Sequence, residues 1–186
     1  MGTSQLTDIE RALEELATAA RSVPGEVLDE VAAMLTRAGT VAAYAGGREG
    51  LVMRGLVMRL FHAGLDAHYV GEMTVPRVGE GDLVVLSCGP GNISMVQAIA
   101  GVAKAAGATI LYFTAEPDQP PAQLADRVVV VRAQTMARDT GSAAVLPMGS
   151  GYEIALFLIV DLLTNRVRAS RQESPEVMRA RHTNLE

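Results

Sequence analysis

The stretch LPMGSGYEIALFLIVDLL (146–163) opens a glycine-rich turn onto an apolar helical run, with Glu153 in or near the first helical turn. A carboxylate there can complement the positive end of the helix dipole, or it can serve as a general base. A second stretch, LSCGPGNIS (86–94), follows the apolar run DLVVL and precedes a helical pattern. Strand, glycine-rich turn and helix together make an anion cradle, because first-turn N–H groups point outward. Ser87, Gly89, Gly91, Asn92 and Ser94 offer donors there, while Pro90 has no N–H to give. Cys88 lies in the same turn, where a thiol near a helix start can lose its proton more readily. No G-x-C-x-G elbow surrounds it and no histidine has an evident partner role, so a small core cysteine is the favoured reading over a nucleophile. A third stretch, AGGREG (45–50), matches half of a dinucleotide fingerprint. It lacks the full G-x-G-x-x-G spacing and sets Glu49 where a pyrophosphate would lie, so a tight strand-to-helix turn explains it better.

Scarcity excludes other chemistry. Lys104 is the single lysine and falls mid-helix in AGVAKAAG, which argues against a Schiff base. The histidines are His62, His68 and His182, no pair has zinc-ligand spacing, and there is no C-x-x-C, so no metal is expected. One cysteine forms no internal disulfide framework, and the N-terminus lacks signal-peptide order, which fits a cytoplasmic protein. The net charge of −5 argues against a nucleic-acid partner, and no apolar run is long enough to span a membrane. Arg166, Arg168, Arg171, Arg179 and Arg181 gather near the C-terminus, where a solvated helix face is the expected reading.

These candidates need elements to hold them. Leu6, Ile9, Leu13, Leu16 and Ala20 recur at helical spacing, as do Val27, Leu28, Val31, Met34 and Leu35. Pro24 suits the first turn of the second helix and Gly39 its end. The period then changes. TVAAYAGG, DAHYVG, DLVVLSC, ATILYFTA and DRVVVVRA read as five strands. REGLVMRGLVMRLFHAG (48–64, ending at Gly64), GNISMVQAIAGVAKAAG (91–107) and EIALFLIVDLLTNRVRA (153–169) read as helices, QPPAQLAD as a short turn, and SPEVMRARHTNLE as an amphipathic tail capped by Ser174. Strands of continuous Val, Ile and Leu alternating with helices imply a doubly wound α/β domain with a five-stranded parallel sheet covered on both faces. One domain over 1–186 is expected, with N-terminal helices over about 4–38 and a helical tail over about 174–186. Ligands of such sheets bind at the carboxyl ends of the strands, here AGGREG, VGEMTVPR, SCGPGN and TAEPDQ. The long helix of 153–169 is apolar nearly all round, so burial on several sides and a homo-oligomer are expected.

GREGL, MRLFHAG, the VGEMTVP run, LPMG…E and the terminal RARHTNLE together resemble the 6-phospho-3-hexuloisomerases of the sugar isomerase (SIS) domain superfamily, over nearly the whole chain. The resemblance implies a Rossmann-like three-layer sandwich, a homodimer or homotetramer, and a ketose isomerase, an intramolecular oxidoreductase. Such an enzyme interconverts ketohexose 6-phosphates through an enediol with no metal or organic cofactor. It further implies catalytic roles for Glu153 and for His182, which can reach a neighbouring subunit's site. It implies substrate-binding roles for Gly47, Arg48, Glu49, His62, Glu72, Ser87, Cys88, Gly89, Gly91, Asn92 and Ser94.

The chain departs from the family where phosphate would bind. The family's Ser-Gly-Ser-Gly-Glu-Thr register is Cys88-Gly89-Pro90-Gly91-Asn92-Ile93 here, and its GRSG turn is GREG, so three hydroxyls are gone and Glu49 replaces another. Two outcomes are open for Glu49. It can pair with Arg48, Arg54 or a neighbouring subunit's arginine, or it can face the pocket and exclude phosphate, the favoured outcome. A phosphosugar isomerase, an isomerase or binding protein for an unphosphorylated or amino sugar, and a non-catalytic oligomer are the readings that follow.

Overall fold

The computed structural model describes residues 2–139 and 144–185, with side chains from Thr7 onward, so the side chain of Leu6 and residue Glu186 lie outside the description. Two helices, α1 (Gly2–Arg21) and α2 (Gly25–Arg37), lead into β1 (Thr40–Ala45), α3 (Gly47–His62) and β2 (Asp66–Tyr69). A long loop then reaches β3 (Leu83–Ser87), followed by α4 (Ser94–Ala105), β4 (Thr109–Thr114), the short α5 (Pro120–Leu124) and β5 (Arg127–Val130). The chain closes with a 3-10 turn (Met136–Arg138), the long α6 (Ser150–Ser170) and α7 (Pro175–Ala180).

The five strands form one parallel sheet in the order β2-β1-β3-β4-β5. The winding order reverses between β1 and β3, with β2 laid outward on one side and β4 and β5 on the other, so the crevice that doubly wound folds use for ligands opens between them. Side chains alternate along each strand, and the two sets enter different cores. Val41, Ala43, Ala45, Val85, Leu111 and Phe113 join α2, α3 and α6, whereas Ala42, Val84, Leu86, Cys88, Ile110 and Tyr112 meet α4. β3 is buried at every position, which explains why it reads as an unbroken apolar run.

Several local expectations change. Pro24 is the N-cap of α2, one residue ahead of the helix. α2 stops at Arg37, and Gly39 serves close approach instead of a cap: a Cβ there would lie 3.0 Å from Asp82 Oδ1. QPPAQLAD is not a turn alone but carries α5. Pro90 lies outside the helix, because Gly91 takes a φ of 87° and α4 begins only at Ser94. α3 ends at His62, with Gly64 at a φ of 81° and the Leu65 N–H returning to the Leu60 carbonyl at 3.0 Å. Ser174 caps α7 as expected, accepting from the Val177 N–H.

The C-terminal arginines tie elements together instead of forming a solvated face alone. Arg171 donates to the carbonyls of Ala63 and Gly64, and Arg181 donates to the His62 carbonyl at 2.9 Å while pairing with Glu173 at 3.0 Å. Arg166 pairs with Asp29 at 2.8 Å. Guanidinium groups thereby satisfy the terminal carbonyls of α3. Among the described residues no helix is long and apolar enough to cross a membrane.

Candidate active site

Ala45 at the end of β1 is in register with Ser87 at the end of β3, so the turns into α3 and α4 start side by side. α3 begins at Gly47, whose φ of 56° bends the chain sharply off the strand. Gly50 then lets the helix sink onto β1. A Cβ at that position would lie 2.7 Å from the Ala45 carbonyl oxygen and 2.9 Å from the Tyr69 hydroxyl, which itself donates to that carbonyl. This approach carries Glu49 inward.

Glu49 is only 7% exposed. Its Oε2 accepts from Ser87 Oγ at 2.5 Å, and the Gly89 N–H donates to both carboxylate oxygens, at 2.9 Å and 3.1 Å. Ser87 Oγ also lies 3.1 Å from the Tyr152 hydroxyl. Burial raises the Glu49 pKa; the bonds from Ser87 and Gly89 oppose that rise and the charge of Glu153 adds to it. The alternative in which Glu49 pairs with Arg48 or Arg54 does not hold within this chain. Arg48 turns to Glu153, and Arg54 stacks 3.9 Å from the Tyr69 ring centroid. Glu49 instead faces the small cavity described next and fills the donors of the β3–α4 turn.

Glu153 stands in the first turn of α6, behind the left-handed N-cap Gly149. Arg48 Nε is 3.0 Å from Glu153 Oε2, and Arg48 Nη1 donates to Ser150 Oγ at 3.1 Å. That Oε2 atom is buried with no aligned hydrogen bond among the described residues, because the arginine sits off the bonding line. Desolvation raises the Glu153 pKa while Arg48 pulls it down. Glu49, Glu153, Thr135, Tyr152, Gly89, Pro90 and Met148 line a cavity of about 40 Å³. The Thr135 hydroxyl in its wall is buried without a hydrogen-bond partner among the described residues. Pockets that hold small molecules run to about 300–1,000 Å³, so this one is closed down around its carboxylates. A groove of about 650 Å³ beside α4 is larger, but Val75, Pro76, Val78, Ile99 and Val102 make it apolar and it holds neither carboxylate.

Cys88 is buried, and burial followed by the charge of Glu49 pushes its thiol up to about 11, so it is protonated and inert near neutral pH. Gly89 packs on Tyr152, where a Cβ would meet the ring at 2.8 Å. Tyr112 donates to the Gly91 carbonyl at 2.8 Å and fixes the turn from below. Asn92 and Ser94 are exposed at the start of α4, which has no side-chain cap.

The fold thus gathers Gly47, Arg48, Glu49, Ser87, Cys88, Gly89, Gly91, Asn92, Ser94 and Glu153 at one edge of the sheet. Glu72 follows β2 at the same edge, but its carboxylate is 3.6 Å from His68 Nδ1. His62 and His182 lie elsewhere. His62 ends α3 thirteen residues beyond Glu49, about 20 Å along the axis at 1.5 Å per residue, at the opposite sheet edge. Its ring is 5.1 Å from that of His182, centroid to centroid. Sequence reasoning missed Thr135, Ser150 and Tyr152. Ser150 and Tyr152 flank Gly151 beside Glu153 and were within reach of a closer reading of that turn. Thr135 lies in irregular chain after β5 and carries no signal.

No protein-family model matches the chain. A 3-hexulose-6-phosphate isomerase of Mycobacterium gastri is 35% identical over 173 residues, covering 93% of this chain and 87% of that protein. A 3-hexulose-6-phosphate isomerase of Bacillus subtilis (strain 168) is 30% identical over 175 residues, covering 94% of this chain and 95% of the relative. Among solved structures, a hypothetical protein of Methanococcus jannaschii, from whose structure a 3-hexulose-6-phosphate isomerase function was inferred, superposes with a TM-score of 0.84 at 23% identity, covering 97% of this chain and 99% of that one. With 35% and 30% identity over more than nine-tenths of the chain, and the same fold in solved structures, the chain belongs to the 3-hexulose-6-phosphate isomerase family, on the sugar isomerase (SIS) fold.

Proposed function

We propose that this protein interconverts a 3-ketohexose 6-phosphate and fructose 6-phosphate, with Glu153 as the proton-transferring base. One observation carries the reading. Glu153 places a buried carboxylate oxygen, lacking an aligned hydrogen bond among the described residues, at the sheet's switch point, with Arg48 beside it. A base takes the proton from C2 while the C3 carbonyl oxygen gains one, which gives an enediol across C2 and C3. Loss of the C2 hydroxyl proton and return of a proton to C3 then complete fructose 6-phosphate. The exchange is redox-neutral overall and calls for no metal or organic cofactor. Arg48 suits the charge that builds on the enediol oxygens, and Asn92, Ser94 and the first-turn N–H groups of α4 suit the phosphate. His62 and His182 serve a site only across a subunit contact, given their distance from Glu49. Purified protein incubated with fructose 6-phosphate in D₂O is expected to incorporate deuterium at C3, read by NMR. No incorporation above a protein-free blank overturns the reading, and incorporation at C1 instead would mark an aldose–ketose isomerase.

Assembly as a homodimer or homotetramer belongs to the same reading. α6 buries one face against α1, α2 and α3, yet Ile154, Phe157 and Leu158 remain 41–50% exposed beside Leu51, Met58 and Phe61 of α3. A contiguous apolar surface of this kind is uncommon on a monomer. Light scattering at micromolar concentration is expected to give a dimer or tetramer, and Phe157→Asp to shift it toward monomer. A monomeric wild type removes the subunit contact, and with it any role for His62 and His182.

A second reading, an isomerase of the unphosphorylated sugar, is favoured by the position of Glu49 alone.

A further inference from the structure

The turn between β3 and α4 is built to receive an anion, and it already holds one. Ser87 Oγ and the Gly89 N–H converge on a single point from a strand end and a glycine turn, and the Glu49 carboxylate occupies that point with three contacts between 2.5 and 3.1 Å. A phosphate oxygen asks for the same donors at the same distances. Among the described residues, the side chains around that point bring no unpaired cation for a second anion. From α3 Arg48 turns to Glu153; from β3 and the turn come Ser87, Cys88 and Gly89; from β4 comes Tyr112; from α6 come Tyr152 and Glu153. No cation pairs with Glu49 among the described residues. The neighbouring cavity also ends on a second carboxylate, Glu153.

We propose that Glu49 is the specificity-determining residue of this site: its carboxylate fills the anion position of the β3–α4 turn, and a phosphate ester is accepted there only in exchange for it. The identity of the sugar rests on the isomerase reading above, while the occupancy of the turn does not. Glu49 is an internal competitor, present at a fixed high local concentration and lost only when the side chain swings out or takes a proton. Its bonds to Ser87 and Gly89 hold the turn in shape while the site is empty.

Calorimetry on wild type, Glu49→Ser and Glu49→Gln tests this with inorganic phosphate, fructose 6-phosphate and fructose. Glu49→Ser frees the Gly89 N–H and removes the charge. It is expected to bind phosphate and fructose 6-phosphate about ten- to a hundredfold more tightly than wild type, the scale of one relieved like-charge contact in a partly wet site. Fructose affinity is expected to stay within a few-fold, which separates removal of a competitor from general loosening. Glu49→Gln keeps the shape and the acceptor oxygen, so its gain is expected to be smaller but in the same direction, and it carries the test if Glu49→Ser does not fold. Equal or weaker phosphate binding in a folded variant overturns the proposal, as does an equal gain for fructose. Deuterium exchange at C3 reads the isomerase separately. Exchange by wild type with no gain in the variants sinks this proposal alone; a gain in the variants without exchange in wild type sinks the isomerase and leaves this standing.

Discussion

Glu153→Gln is expected to lower proton exchange at C3 of fructose 6-phosphate by about 10²- to 10⁴-fold, the usual contribution of a placed base. Glutamine keeps the volume and a side-chain oxygen at the same place, so binding of the sugar phosphate should change far less than the rate. The pH profile offers a second readout. Desolvation raises the Glu153 pKa above its ordinary value of 4.5, with Arg48 opposing. A base works deprotonated, so activity should fall on the acid side through a pKa higher than that of a free glutamate. Arg48→Met removes the opposing cation and should move that limb further toward neutral pH. An exchange rate within threefold of wild type in Glu153→Gln would place the base on another residue, and an acid limb unmoved by Arg48→Met would mean that a different group titrates.

Gly50→Ala is expected to cost about 2–3 kcal/mol of folding stability, because it overpacks a rigid contact. The added methyl would lie 2.7 Å from the Ala45 carbonyl oxygen, a backbone atom within a paired strand, and 2.9 Å from the Tyr69 hydroxyl. Neither can retreat without breaking the bond between them. Gly47 provides the control. A Cβ there meets nothing within 4 Å, and only its φ of 56° is unfavourable, so Gly47→Ala should cost about 1–2 kcal/mol. Urea denaturation of both variants separates the two causes. A loss below about 0.5 kcal/mol in Gly50→Ala would show that α3 can lift off β1 at little cost.

The sheet could be read from the sequence because its strands are buried on both faces, which forces continuous Val, Ile and Leu and leaves glycine at the turns. The carboxyl edge followed from that, and so did the grouping of Arg48, Glu153 and the glycine turn, whereas the order β2-β1-β3-β4-β5 came only with the structure. The fate of Glu49 did not. A carboxylate beside glycines reads as a group facing solvent or ligand, and its real partners, Ser87 and Gly89, are 38 and 40 residues away. The helical pattern reads from Gly91, but the left-handed Gly91 delays α4 to Ser94. The outer face of α6 showed the same limit: its apolar residues signalled a covering surface, and one chain covers only the inner half. His62 and His182 sit within ring contact across most of the chain's length, a proximity that spacing in sequence does not encode.

The protonated state of Cys88 bears on how the protein meets oxidants. Peroxides attack thiolates, and the single sulfhydryl here is buried with its pKa near 11, so sulfenic acid formation has almost nothing to start from. The accessible sulfur belongs to thioethers instead. Met73 is 100% exposed, and Met136 and Met148, at 64% and 61%, stand at the mouth of the cavity that holds Glu49 and Glu153. Conversion of those two to sulfoxides would set polar, chiral groups at the entrance without touching the fold. Oxidation is therefore expected at these methionine thioethers rather than at the thiol, where sulfoxide reductases and not thiol reductants would reverse it.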